Sequence, residues 1–276
     1  MDSDGTFPLT AGRAAPSPGS RAEPDRTPIL VEACVDSVEG AIAAQAGGAG
    51  RVELCDNLLE GGTTPSAGTI AVARERLTIP LFVLVRPRGG DFLYSEAELD
   101  VMRRDIELAR SLGADGVVTG ALTADGDVDV PRTRELAALA RPMRVTFHRA
   151  FDLTRDPAAS LEAVAAAGAD RVLTSGAAPT ALEGLATIAA LVRQAAGRFT
   201  ILAGGGITDE SAPRVVRDTG VREVHVRGSA RAESAMRFRR PGVVFGKPST
   251  PDEYARIITD PDRIRRVVDA VGRAAS

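Results

Sequence analysis

Both cysteines of the chain lie in the same four-residue phrase, Val-Glu-x-Cys, which occurs at residues 31–34 and again at 52–55. Each phrase closes a short apolar run typical of a β-strand, and alternate residues of a strand share one face. Glu32 therefore points with Cys34, and Glu53 with Cys55. If the two strands are parallel neighbours, two carboxylates and two thiols meet at one end of a sheet. This set could bind a soft metal ion or perform acid–base chemistry. Two unrelated core cysteines are the alternative, because free cysteine is commonly buried.

The two histidines of the chain also lie near the ends of predicted strands. His148 follows Thr146 by two residues, and His225 follows Glu223 by the same spacing. Histidine is the side chain best suited to transfer a proton near neutral pH, although a hydrogen-bonded core role is the alternative for each. The candidate catalytic residues are Glu32, Glu53, His148 and Asp152.

A third group of residues has the chemistry of an anion site. Arg86 and Arg88 flank Pro87 in an extended segment, and their guanidinium groups could grip one carboxylate or phosphate. Salt bridges to nearby acids such as Glu53 and Asp91 are the alternative. The candidate substrate-binding residues are Arg86, Arg88, Asp91, Thr119, Ser175, Gly205, Gly206 and His225.

The glycines of this group belong to the run Ala203–Thr208, which precedes a predicted helix. Backbone N–H groups of such a loop could bind phosphate. Asp209 and Glu210, in the expected first turn, would repel an anion, and tight turns alone would also require glycine.

The elements that position these residues repeat one unit eight times. Apolar strand-like runs occur at about 29–35, 50–55, 79–86, 115–121, 143–149, 170–175, 199–204 and 222–227. The segments between them have helical periodicity, and Ser95 with Glu98 and Thr180 with Glu183 have the spacing of a capping box at a helix start. Eight such units over about 248 residues match a (β/α)₈ TIM barrel. A doubly wound sheet would favour a glycine-rich turn after the first strand, where the chain has Cys34-Val35-Asp36-Ser37.

The predicted fold class is therefore α/β, a single-domain (β/α)₈ barrel over residues 29–276. Residues 1–28 contain five prolines among polar residues and predict a disordered N-terminal extension. Active sites of this fold lie at the carboxyl ends of the strands. We therefore expect these side chains to line that end: Glu32, Cys34, Glu53, Cys55, Arg86, Arg88 and His148. The identical phrases further predict that Cys34 and Cys55 lie at matched height with their sulfurs within reach of one metal ion.

The composition limits the classes of binding partner that we expect for this chain. A net charge of −3 argues against a nucleic-acid partner, and no apolar run is long enough for a membrane span. Two cysteines are too few for a disulfide scaffold and suit a reducing cytoplasm, where free thiols are expected. The expected partners are a soft metal ion or a small anionic ligand, and a homo-oligomer, in the first place a dimer, is the expected assembly.

Several motifs together resemble a known family. They are Arg51-Val52-Glu53-Leu54-Cys55, Glu60-Gly61-Gly62, Thr64-Pro65-Ser66, Arg86-Pro87-Arg88-Gly89-Gly90-Asp91-Phe92, Thr146-Phe147-His148-Arg149-Ala150-Phe151-Asp152, Arg171-Val172-Leu173-Thr174-Ser175-Gly176 and Glu223-Val224-His225. In order and spacing, from residue 29 to about residue 260, they look like the CutC copper homeostasis family. The resemblance implies a cytoplasmic barrel with a role in copper handling.

The resemblance also implies which residues bind the metal. Paired strand-end cysteines are the suggested Cu(I) ligands of the family, and they map onto Cys34 and Cys55. Val35 and Leu93 stand where some relatives have further cysteines, so a copper site with more than two thiolates is excluded here. The alternative hypothesis is a TIM-barrel enzyme that applies Glu and His acid–base chemistry to a small anionic, sugar- or phosphate-like substrate.

Overall fold

The strands of the computed structural model, which describes residues 28–243, 245 and 253–274, close into a parallel barrel in chain order. Its strands are β1 Leu30–Val35, β2 Arg51–Leu54, β3 Leu81–Leu84, β4 Gly116–Thr119, β5 Arg144–Phe147, β6 Arg171–Thr174, β7 Thr200–Gly204 and β8 Glu223–Val226. Each lies within an apolar run that the sequence marks as a strand, and the predicted (β/α)₈ barrel is confirmed.

Helices follow the strands and cover the outside of the barrel. They are α1 Val38–Ala46, α2 Ala67–Arg76, α3 Glu96–Ser111, α4 Val130–Ala140, α5 Pro157–Ala166, α6 Leu185–Ala195, α7 Ala212–Thr219 and α8 Pro261–Ala274. Ser95 and Glu98 form the reciprocal capping box that their spacing predicts. Thr180 and Glu183 instead form an isolated turn, and α6 begins only after Gly184.

Side chains on the two faces of each barrel strand lie in different environments. Ala33, Val35 and Leu54 belong to the main apolar core between sheet and helices. Cys34 and Cys55 face the barrel interior, where they pack with Phe82, Leu84 and Val118. The period of two residues in a strand explains why the cysteines and their glutamates share the inner face.

The register between β1 and β2 differs from the expected one. Cys34 pairs with Glu53, and Glu32 pairs with Arg51, so the two Val-Glu-x-Cys phrases are offset by two residues. The prediction of matched height was wrong because strands of a closed barrel are tilted and staggered by its shear.

A hairpin outside the barrel was not predicted. β9 Ser229–Glu233 and β10 Ala255–Thr259 pair in antiparallel fashion directly after β8. Their short, mixed polar sequences lack the apolar run that marks the barrel strands. The predicted disordered extension, apart from the exposed Pro28, lies outside the described residues. Within the described part of the chain, no helix has the length and apolar character to cross a bilayer.

Candidate functional site

A cavity of about 700 Å³ opens at the carboxyl ends of the barrel strands. Several of the predicted site residues line it: Cys34, Glu53, Arg86, His148, Gly205, Gly206 and His225. Side chains from β1, β2 and β8 form one part of its wall, and residues of the loops after β2, β3, β5, β7 and β8 and of α8 form much of the rest. The barrel therefore brings together residues that are distant in the chain, such as Cys34 and His225, which lie 191 positions apart.

The two cysteines are in direct contact. Their Sγ atoms are 3.6 Å apart, and both thiols are free. Cys34 lines the cavity, whereas Cys55 is 1% exposed and lies against the loop that contains Gly62. Gly62 has a φ of +93°, and a Cβ there would lie 2.7 Å from Leu84 and 3.6 Å from the sulfur of Cys55. Glycine thus lets the loop close over the deeper thiol.

The thiols are inequivalent in proton affinity. The hydrogen bond from Cys55 lowers the pKa of Cys34 well below its usual range, against the effect of burial, and His225 lowers it further. The same contact with Cys34, together with burial, raises the pKa of Cys55. Cys34 is therefore the sulfur that deprotonates first.

Glu53 completes this cluster on the β2 side. Its Oε2 lies 3.5 Å from the sulfur of Cys55 and 3.7 Å from Nε2 of His225. Burial, and next the negative charge on Cys34, raise the pKa of Glu53 well above its usual range. A carboxyl group in this setting retains a proton until a cation can take its place.

Glu32 lies deeper than the sequence predicted. It sits in the middle of β1, is 0% exposed and does not reach the cavity wall. Its carboxylate pairs with Arg51 and lies 2.7 Å from Nδ1 of His225. Burial alone would raise the pKa of Glu32, but Arg51 and His225 together lower it to about 2. Glu32 is thus a fixed negative charge that orients His225.

A charged layer below the cavity was missed in the sequence. Arg51 pairs with Glu32 and Glu223, and Arg171 lies 3.3 Å from Glu223. Both arginines stack over the Phe82 ring, with 4.9 and 5.0 Å from guanidinium carbon to ring centroid. Barrel interiors are usually filled by branched apolar residues. The sequence did contain a pattern that predicts this layer. Arg51 and Glu223 stand two positions before Glu53 and His225, and alternate residues of a strand share one face.

His148 lines the cavity but is held as a neutral base. Its Nδ1 accepts a hydrogen bond from the backbone N–H of Ala150, and its ring packs 4.7 Å from that of Phe92. Burial, and next the charge of Arg86, lower the pKa of His148 to about 3. The buried ring is therefore uncharged near neutral pH, and the catalytic role expected of His148 stays a prediction.

The two arginines of the Arg-Pro-Arg motif diverge. Arg86 donates to the carbonyl groups of Glu60, Gly62 and Gly90, and so ties the loops after β2 and β3 together. Arg88 points away from the cavity and pairs with Asp91 and Glu98. Arg88 and Asp91 therefore form a salt bridge, as the alternative predicted. Of the two arginines of this motif, only Arg86 lines the cavity.

Three further candidates lie outside the cavity wall. Asp152 accepts hydrogen bonds from Thr174, from Ser175 and from the backbone N–H of Ala177, so it fixes the loop after β6. Ser175 is fully buried in that loop, and Thr119 is 1% exposed at the end of β4. Asp152 and Ser175 are thus engaged in contacts within that loop, whereas the buried hydroxyl of Thr119 has no hydrogen-bond partner among the described residues.

The glycine-rich loop after β7 does face the cavity. Gly205 and Gly206 have φ values of +104° and +70°, which suits glycine. α7 begins only at Ala212, so Asp209 lies in the loop before the helix rather than in its first turn, and it pairs with Arg266 at 3.2 Å.

Comparison with known proteins identifies relatives over most of the chain. The model of the CutC family matches residues 29–230. A protein of Chromobacterium violaceum described as family protein CutC is 54% identical over 245 residues, which cover 89% of this chain and 99% of the relative. The human copper homeostasis protein cutC homolog is 49% identical over 237 residues, 86% of this chain and 87% of the relative.

Solved structures give the same picture. The structure described as a copper homeostasis protein CutC from Streptococcus agalactiae superposes with a TM-score of 0.68 at 36% identity, covering 72% of this chain and 98% of that one. A phosphoribosylanthranilate isomerase from Pyrococcus furiosus has a TM-score of 0.54 at 16% identity over 89% of this chain and 99% of that one, a likeness of fold alone.

Proposed function

Because the chain belongs to the CutC family, we propose that it acts in copper homeostasis in the cytoplasm and binds Cu(I) through Cys34 and Cys55. The observation that carries this proposal is the pair of free sulfurs 3.6 Å apart at the floor of the cavity. Copper is in this view the cargo of the protein rather than a resident cofactor.

The donor chemistry fits this ion. Thiolates are soft ligands and select Cu(I) over hard cations. Cys34 already has the low pKa that a metal-binding thiolate needs. Binding of the ion would displace the proton of Cys55, so affinity for Cu(I) would rise with pH.

The contacts of the remaining candidates do not favour the enzyme hypothesis. Arg88 is engaged by Asp91 and Glu98, and Asp152 by the loop after β6. Arg88, which was expected to bind an anion, and Asp152, one of the proposed acid–base groups, are therefore engaged in structural contacts.

The proposal is tested by titrating the full chain with Cu(I) against a competing chromophoric chelator under anaerobic conditions. We expect Cys34→Ser and Cys55→Ser each to abolish tight binding, because a single thiolate cannot supply a two-sulfur site. Arg88→Ala is the control. It removes a charged side chain at the same end of the barrel that does not line the cavity, and it should leave the affinity nearly unchanged.

Unchanged Cu(I) affinity in both cysteine variants would refute coordination by this pair. A loss of affinity in Arg88→Ala equal to that in the cysteine variants would show a general effect on folding instead. Circular dichroism of each variant separates these outcomes, since the barrel gives a strong helical signal.

A further inference from the structure

The thiol pair is surrounded by more potential metal ligands than a two-coordinate Cu(I) site requires. We propose that Glu53 and His225 join Cys34 and Cys55 in a four-donor site that holds a divalent cation of intermediate softness, with Zn²⁺ as the probe ion. This inference shares the thiol pair with the proposed function and assigns two further ligands and a second class of ion to it.

Three of the six distances among the donor atoms are those of a tetrahedron. Zinc–sulfur bonds of about 2.3 Å and zinc–nitrogen or zinc–oxygen bonds of about 2.0–2.1 Å place neighbouring ligand atoms about 3.3–3.8 Å apart in tetrahedral geometry. The sulfurs of Cys34 and Cys55 are 3.6 Å apart. Oε2 of Glu53 is 3.5 Å from Cys55 Sγ and 3.7 Å from His225 Nε2. Three edges of the tetrahedron are therefore in place.

The imidazole of His225 has the right nitrogen directed at the site. Its Nδ1 lies 2.7 Å from the Glu32 carboxylate, which Arg51 keeps ionised. Nδ1 therefore faces Glu32 and Nε2 faces Glu53, so a metal ion would bind Nε2 in exchange for the proton that the imidazolium carries there. Histidine ligands of metal ions are commonly oriented by a carboxylate in this manner. Glu32 thus has the position of an outer-sphere residue rather than of a ligand.

Charge favours a divalent ion over a monovalent one. With metal bound, two thiolates and the Glu53 carboxylate would place three negative charges in a buried pocket, since Arg51 already offsets Glu32. Buried charge that has no partner is costly. A divalent cation offsets one more of these charges than Cu(I) does. Zinc also accepts sulfur, nitrogen and oxygen donors together, whereas Cu(I) selects the sulfurs.

The test uses the metal-free full chain and two metals. Co²⁺, as a spectroscopic substitute for Zn²⁺, should give the visible bands of a tetrahedral site together with near-ultraviolet sulfur-to-cobalt charge transfer. Zn²⁺ affinity is then measured by competition with a chromophoric chelator. We expect Glu53→Gln and His225→Gln each to weaken Zn²⁺ binding by about 100-fold or more, and Glu32→Gln by about 10- to 100-fold, the range for outer-sphere partners.

Cu(I) titrations of the same variants provide the discriminating comparison. Glu53→Gln and His225→Gln should leave the Cu(I) affinity within about threefold, because the thiolates dominate that site. His148→Asn, on the cavity wall but outside the donor set, is the matched control and should change neither metal. Cys34→Ser should lose both.

Two outcomes would overturn the inference while the proposed function stands. One is a Zn²⁺ affinity that is unchanged in both Glu53→Gln and His225→Gln. The other is a wild-type cobalt spectrum without sulfur charge transfer, which decides the matter even where a variant fails to fold. Tight Zn²⁺ binding that needs Glu53 and His225, with no Cu(I) binding in the wild type, would support the inference and overturn the copper proposal.

Discussion

Arg51 is the residue on which the interior of the barrel depends. It is 3% exposed and pairs with two carboxylates, those of Glu32 and Glu223. Both carboxylates are largely enclosed, so without Arg51 the charge of Glu32 would be offset only by His225 and that of Glu223 only by Arg171. Because Glu32 in turn lies against Nδ1 of His225, the same arginine indirectly supports the proposed metal site.

We therefore expect Arg51→Ala to lower the free energy of unfolding by about 3–5 kcal/mol, the range for breaking a buried ion pair. Arg198→Ala is the comparison. It removes an arginine whose pair with Glu162 is about half exposed, and such a loss should stay below about 1 kcal/mol. Urea denaturation of both variants measures the difference, and equal losses would contradict this view of the interior.

At the level of single residues, the sequence identified the cysteines, Glu53 and His225 but not how they meet. The repeated phrase located them on inward faces of neighbouring strands. The stagger between β1 and β2 decided that Cys34 lies beside Glu53. The roles of Arg88 and Asp152 could not be predicted, because a charged residue at a strand end has the same pattern whether it faces a ligand or a neighbouring loop.

Among the elements, the junction of β6 and α6 is the most tightly constrained. A Cβ at Gly184 would lie 1.9 Å from the carbonyl oxygen of Ser175, and one at Gly176 would lie 2.5 Å from the carbonyl oxygen of Gly184. The backbone of the loop thus packs directly on the start of the helix. This contact also holds Ser175 and Asp152 in place.

Gly184→Ala should consequently destabilise the protein by about 3 kcal/mol, the upper part of the range for overpacking, because backbone must move. Gly272→Ala offers a control of opposite sign. It lies within α8, where an added Cβ meets no atom within 4 Å, and alanine should stabilise the helix by about 0.5–1 kcal/mol. Thermal unfolding of the two variants should shift in opposite directions, and parallel shifts would argue against the close packing.

The barrel elements were predictable, and the hairpin was not, for one physical reason. Barrel strands are covered on both faces, so runs such as Leu81–Leu84 are continuously apolar. β9, with the sequence Ser-Ala-Arg-Ala-Glu, is largely solvent-facing and has no such run. Its pairing with β10 depends on a contact between segments more than 20 residues apart, which local pattern does not reveal.

For the whole molecule, His148 contributes a defined sensitivity to acid. Its pKa falls from 6.5 to about 3 on folding because of burial and the charge of Arg86. Between these values the unfolded chain binds a proton at this position and the folded chain does not. Stability therefore falls as the pH falls through this window, by about 1.4 kcal/mol per pH unit. Above pH 6.5 the residue adds no pH dependence.

His148→Asn removes the titrating ring and keeps an oxygen that can accept from the N–H of Ala150. Between pH 4 and 6.5, the slope of the unfolding free energy against pH should correspond to the uptake of up to one proton fewer in the variant than in the wild type. This difference is expected whatever the absolute stability of the variant. Urea denaturation across that range measures the slope. Parallel curves for the variant and the wild type would show that His148 does not titrate in this way.

Assembly is the whole-molecule property that stays a prediction. The dimer expected from the sequence can be measured by sedimentation of the full chain. Exposed apolar side chains after β8, including Met236 and Phe238, are 60% and 61% exposed. Where exposed apolar side chains form one contiguous patch, that patch commonly marks an interaction site.

If Cys34 and Cys55 bind a metal ion as proposed, the stagger of the first two strands also determines the order of events at their site. Two identical phrases place their thiols in unlike surroundings, since Cys34 lines the cavity and Cys55 lies beneath the Gly62 loop. An ion that enters from solvent meets Cys34 first and gains Cys55 second, and it departs in the reverse order. The rate of exchange is thus controlled by access to one sulfur, while the affinity depends on both.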